Sequence, residues 1–129
     1  MKKIALIVFT LLTFFYSCSK DDDKETINTS RTLHYSLTGN FSGTNLIVSY
    51  TTANGGTSNE QINILSWDRE ITYNSNVTAA NIAVSGNGGT AGQQVTLIIK
   101  RGNIVVGTPT VATADASGSF TKAAPVVVF

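Results

Sequence analysis

From Thr32 onward the chain alternates apolar and polar residues one by one, in short runs broken by glycine and asparagine. A strand turns successive side chains to opposite faces, so this alternation marks strands with one face buried and the other wet. In "TLHYSLTG", Leu33, Tyr35 and Leu37 share one face, and His34, Ser36 and Thr38 share the other. "NLIVSYT" repeats the pattern with Leu46, Val48 and Tyr50, and "EQINILSW" with Ile62 and Ile64 against Gln61 and Asn63. Ile71 and Tyr73 continue it in "REITY", Ile82 and Val84 in "NIAVSG", and Val95, Leu97 and Ile99 in "QVTLIIK". The pair Gly102-Asn103 is hairpin-turn material leading into "NIVVGT", and "PVVVF" reads as a last strand with Pro125 at its first position.

No helical period runs through this region, and its wealth of Thr, Val, Ile and Ser favours sheet. About seven or eight short strands with frequent turns predict an all-β fold, an antiparallel immunoglobulin-like β-sandwich. Cys18 is the only cysteine, so no intramolecular disulfide can form, and packing with sheet hydrogen bonds must hold the domain. The tetrapeptide Asn-Gly-Gly-Thr occurs at Asn54 to Thr57 and again at Asn87 to Thr90. An internal duplication would explain both copies. The simpler account, favoured because the flanking strands match poorly, is two strand connections that each need positive φ, which glycine and asparagine tolerate.

Charge excludes some functions. Beyond residue 30 the basic residues are Arg31, Arg69, Lys100, Arg101 and Lys122, which is no electrostatic footprint for nucleic acid. His34 is the sole histidine and alternates onto a polar face. Without a second histidine or a further cysteine, the common metal sites and Cys/His nucleophile pairs are not available, and no cofactor motif is present. Glu60, Asp68, Glu70 and Asp115 have no spacing that proposes a catalytic carboxylate pair, so a non-enzymatic domain is expected. Trp67, the only tryptophan, either plugs the end of the core or offers an aromatic surface to a ligand such as a sugar ring. Asp68 and Glu70 around Arg69 read as the polar edge of a bend.

The N-terminus carries a different kind of information. Lys2 and Lys3 precede an uncharged apolar stretch, Ile4 to Tyr16, of about 13 residues, the length of a signal-peptide core. A membrane-spanning helix needs roughly 20. The stretch ends in Phe15-Tyr16-Ser17-Cys18, which resembles a bacterial lipobox with Ser17 at the small position and bulkier residues than usual before it. The resemblance implies lipidation of Cys18. Ser19, Lys20, Asp21, Asp22 and Asp23 resemble the export signal of surface lipoproteins in the Bacteroidota, where acidic residues follow the lipidated cysteine. The expected organisation is a signal peptide over 1–17, a lipidated acidic tether over 18–31 and a β-sandwich domain over 32–129. The expected location is the outer membrane, lipid-anchored and exposed at the cell surface, with its periplasmic face as the alternative. The terminal Val-Val-Val-Phe prompts an outer-membrane barrel, since barrels often end in an aromatic residue, but these strands are short and no aromatic girdles flank them.

The order of the elements resembles the periplasmic domain of the MmpS family, small mycobacterial membrane proteins. Tyr35, Thr38 and Gly39 match that family's first strand, Val48, Ser49 and Tyr50 approximate its second, and Leu65 and Trp67 its third. "VTLIIKRGNIVV" resembles the family's hairpin, and the likeness covers most of 32–106. Ser66 stands where the family usually has proline, and the family's cysteine pair and transmembrane helix are absent. The resemblance implies an accessory subunit of an RND-type envelope transporter. The alternative is a surface-displayed module that recognises a glycan or a protein. Which strands form sheet edges is not legible at this level, and the oligomeric state stays open with it.

Overall fold

Each alternating run becomes a strand in the computed structural model, which describes residues 29–129. Cys18 and the Ser19 to Asp23 run lie outside the described residues. In chain order the strands are β1 (Thr32–Gly39), β2 (Asn45–Thr51), β3 (Thr57–Ile62), β4 (Trp67–Thr72), β5 (Ala79–Ala80), β6 (Ile82–Asn87), β7 (Gln94–Arg101), β8 (Ile104–Val105), β9 (Thr110–Thr113), β10 (Phe120–Ala123) and β11 (Val127–Val128). Eight of them have four residues or more.

Two antiparallel sheets result, making an all-β sandwich. One has the order β4-β1-β7, with β8 and β9 both along the free side of β7; the other runs β10-β6-β2-β3. β8 pairs with Lys100 and Arg101 and β9 with Gln94 to Leu97, so they are two pieces of one edge strand. Between them lie Gly107, at φ +71°, and Pro109, which has no N–H to donate to a ladder. β5 and β11 form a separate small ribbon.

The inward faces meet in one core. Leu33, Tyr35 and Leu37 of β1 and Val95, Leu97 and Ile99 of β7 pack with Leu46, Val48, Ile82 and Val84 from the other sheet. Fully burying one such aliphatic side chain is worth roughly 1.5–3 kcal/mol, which is how the fold holds without a covalent staple. The hydroxyl of Tyr35 reaches that of Tyr73 at 2.7 Å, and Tyr73 donates onward to the Thr51 carbonyl at 3.0 Å. Burial pushes both phenols up from their ordinary pKa.

The register assigns the loops to two ends. Arg31, the 52–56 turn, the 74–78 connection, the Gly102-Asn103 turn and residues 124–129 share the end at which the chain enters β1. The connections at 40–44, 63–66, 88–93 and 114–119 share the far end. At the entry end the Phe129 ring lies between two guanidinium groups, 4.5 Å from Arg31 and 5.2 Å from Arg101. Arg31 is fixed there by donating to the carbonyls of Tyr73, Asn74 and Val77.

Several local expectations are corrected. β3 stops at Ile62, so Ile64 sits in the far-end bend and is 76% exposed rather than inward. Asp68, Arg69 and Glu70 form no bend; they lie within β4. Pro125 precedes the last strand instead of opening it. The two Asn-Gly-Gly-Thr copies do serve two connections, with Gly55 at φ +88° and Gly88 at φ +76°.

Candidate functional site

Trp67 opens β4, an edge strand, and the register sets it opposite Leu37. Alternation then puts Arg69 and Ile71 on the same inward face. Across the sandwich the inward face of β3, the edge of the other sheet, carries Glu60. The two edges are joined there. Arg69 Nη2 donates to Glu60 Oε2 at 2.5 Å, Trp67 Nε1 donates to Oε1 at 3.1 Å, and the Tyr50 hydroxyl donates to Oε2 at 3.4 Å. The Arg69 guanidinium carbon also lies 5.9 Å from the Tyr50 ring centre and 5.8 Å from that of Trp67.

Desolvation pushes the Glu60 carboxyl up, but the hydrogen bonds from Trp67 and Arg69, the Arg69 charge and the Tyr50 hydroxyl outweigh it and hold the pKa below its ordinary value. Trp67 is only 8% exposed, with its ring against Tyr50 and Arg69 and its N–H committed to Glu60. Its surroundings are those of a structural plug, not of an open platform for a sugar.

A second constellation was not singled out from the sequence. Residues 115–119, Asp-Ala-Ser-Gly-Ser, cross from β9 to β10 and fold around one carboxylate oxygen. Asp115 Oδ1 accepts from the Ser117 N–H at 2.9 Å, the Ser117 hydroxyl at 2.6 Å and the Ser119 N–H at 3.1 Å. These bonds, led by the Ser117 hydroxyl, hold the Asp115 carboxyl below its ordinary pKa. An aspartate two residues before Ser-Gly-Ser is the local signal that could have found it, because such side chains cap their own turn.

Two shallow grooves flank β10, of about 460 and 410 Å³, and share Asp115, Ser119, Phe120 and Thr121. Ser85, Gly86 and Asn87 complete the first; Val111, Ala112, Thr113 and Lys122 complete the second. Phe120 is set edge-on against Phe41 at 4.9 Å, and a Cβ on Gly86 would come within 2.8 Å of both rings, so only glycine leaves this arrangement undisturbed. Apart from Val111 and Ala112, the remaining side chains of the lining are hydroxyl, amide, one carboxylate and one ammonium. Such groups suit an extended, uncharged polar ligand, since each can exchange a water for a ligand hydroxyl or peptide group. β10 is also an edge strand, with backbone groups on its outer side turned away from β6.

His34 Nε2 lies 3.4 Å from Asp68 Oδ1 on the outer face. Among the described residues no group of three or more His, Cys, Asp or Glu side chains is placed to hold a metal ion. Nor, among them, is any helix long and apolar enough to cross a membrane.

No family model matches the chain, and no curated protein and no solved structure matches it.

Proposed function

We propose that this chain is a lipid-anchored, non-catalytic binding subunit of the bacterial cell envelope, held by Cys18 and presenting the grooves beside β10 to its partner. The observation that carries the reading is the position of the only cysteine, directly after a signal-like apolar run and directly before Ser-Lys-Asp-Asp-Asp. A single acyl chain binds membranes marginally and two or more bind stably, so a multiply acylated Cys18 makes a permanent tether. The strand order supports a rigid head on that tether, with polar grooves at one side of it.

For the partner, the resemblance over 32–106 favours a component of an RND-type envelope transporter. The hydroxyl- and amide-rich lining and the acidic export-like run favour surface recognition of a glycan or a protein as the second reading.

Metabolic labelling with a clickable fatty acid tests the anchor. Label is expected in the wild-type chain and not in Cys18→Ser; label that survives this substitution, or is absent from the wild type, overturns the reading. A photo-crosslinking residue at Lys122 in intact cells then separates the partners. Recurrent capture of one transporter component supports the accessory role. Glycan or surface-protein adducts, with loss of the domain on protease shaving of cells, support display.

A further inference from the structure

The apolar side chains left outside the core are unevenly distributed. Of seven large hydrophobic residues exposed in the structure, four belong to the entry end: Ile104, Val105, Val126 and Val128. Ile104 is 57% exposed, Val126 55% and Val128 68%. They come from two neighbouring places, the β7–β8 hairpin and the segment around β11, which Arg101 ties together by donating to the Val128 carbonyl at 3.0 Å. The far end has one such residue, Ile64.

The tether leads to this same end. Arg31, its last residue, lies against Phe129, beside Val128. Only about 13 residues separate Cys18 from Arg31, so even fully extended the tether spans at most about 45 Å. We infer that the entry end rests on the lipid surface that holds the anchor, with Ile104, Val126 and Val128 seated at the headgroup–acyl boundary. This inference rests on the anchoring reading above.

A tethered head needs little affinity to stay down. A short linker makes the second contact intramolecular, at an effective concentration in the millimolar range, so a few half-exposed aliphatic groups suffice. Charge contributes less. Arg31 and Arg101 bring positive charge to this end, the tether sequence adds the acidic Asp21 to Asp23 and Glu25, and Glu70 and Lys100 stand opposite one another across His34. The contact is therefore expected to survive salt. It also has a functional consequence: seating the entry end directs the far-end loops, the Asp115 turn among them, away from the membrane and toward a partner.

Because Cys18 is the only cysteine and its thiol is consumed by the anchor, a cysteine introduced elsewhere is a unique labelling site. Full-length acylated protein carrying Ile104→Cys, Val128→Cys or Ile64→Cys is labelled with an environment-sensitive fluorophore. It is reconstituted into phosphatidylethanolamine–phosphatidylglycerol vesicles that contain a nitroxide-bearing lipid. Quenching at 104 and 128 is expected to exceed that at 64 at least threefold, in low and in high salt. Equal quenching at all three positions in protein that floats with the vesicles overturns the inference and leaves the anchor standing. Labels at 104 and 128 that are shielded from a water-soluble quencher but untouched by the lipid-borne one also overturn it, in favour of a second copy covering this end. Protein that does not float at all removes the anchoring reading, and this inference with it.

Discussion

Glu60 and Arg69 point inward from the edge strands of opposite sheets and meet across the open side of the sandwich, Nη2 to Oε2 at 2.5 Å. A charged pair on the inward face of two edges does more than join them. Docking another strand on either edge would have to displace or desolvate it, and inward-pointing charges are a known protection of exposed edges. The other two edges are guarded differently, β8–β9 by its interruption and β10 by its shortness and Lys122.

Removing the carboxylate should cost more than an ordinary surface ion pair. Glu60→Ala strands the Trp67 N–H, the Arg69 guanidinium and the Tyr50 hydroxyl together, and a loss of about 2 kcal/mol in urea unfolding is expected, against 0–1 kcal/mol for an exposed pair. A loss below 0.5 kcal/mol, within the range of an exposed pair, would show that the seam does not hold the sheets.

The same carboxylate gives the stability a pH dependence with a definite sign. Its folded-state pKa lies below the ordinary 4.5, so its contribution is fully present above that value and is lost as pH falls through the lowered one. Melting temperature should therefore fall on acidification below about pH 4.5 more steeply in the wild type than in Glu60→Gln. Parallel curves would rule out a coupled Glu60.

The two buried tyrosines should respond unequally to loss of a hydroxyl. Tyr73 donates to the Thr51 carbonyl, so Tyr35 must donate to Tyr73. Tyr35→Phe removes the head of the chain and leaves Tyr73 with its acceptor, a cost of about 1 kcal/mol. Tyr73→Phe leaves the Tyr35 hydroxyl buried without an acceptor and should cost about 2–3 kcal/mol. Equal losses would mean that the hydroxyls do not act as a directed chain.

Ser66 takes φ +119°, the only non-glycine residue with positive φ among those described. Proline, fixed near −65°, cannot adopt this conformation. Ser66→Pro should destabilise by roughly 3 kcal/mol or more, while Ser66→Gly should be neutral or stabilising by up to about 1 kcal/mol. Both are read by thermal unfolding, and a tolerated proline would refute the strained turn.

Most of the core was legible from alternation alone. Leu33, Tyr35 and Leu37, then Leu46, Val48 and Tyr50, and Val95, Leu97 and Ile99 are all buried, because a strand of period two has no other way to hide its apolar side. The glycine turns at Gly55, Gly88 and Gly102 were legible for an equally local reason, the demand for positive φ. Local pattern failed where long-range pairing decided the outcome. β9, the following Ala114 and β10 present only Ala112, Ala114 and lone Phe120 to the core, too little apolar contrast to mark a strand, and Ile64 continued an alternation that the chain had already left at Ile62. Glu60 and Arg69 broke the apolar rhythm, so their residue types gave no sign that they face inward. Alternation sets them on the faces of Ile62 and of Trp67 and Ile71. They meet because β3 and β4 are edges of opposite sheets, an arrangement decided by long-range pairings such as β1 with β4 and β2 with β6. The one-dimensional pattern determined which side of each strand is apolar; only the closed sandwich decided which strands meet, which edges stay open, and that Trp67 would spend its N–H on a carboxylate within the fold.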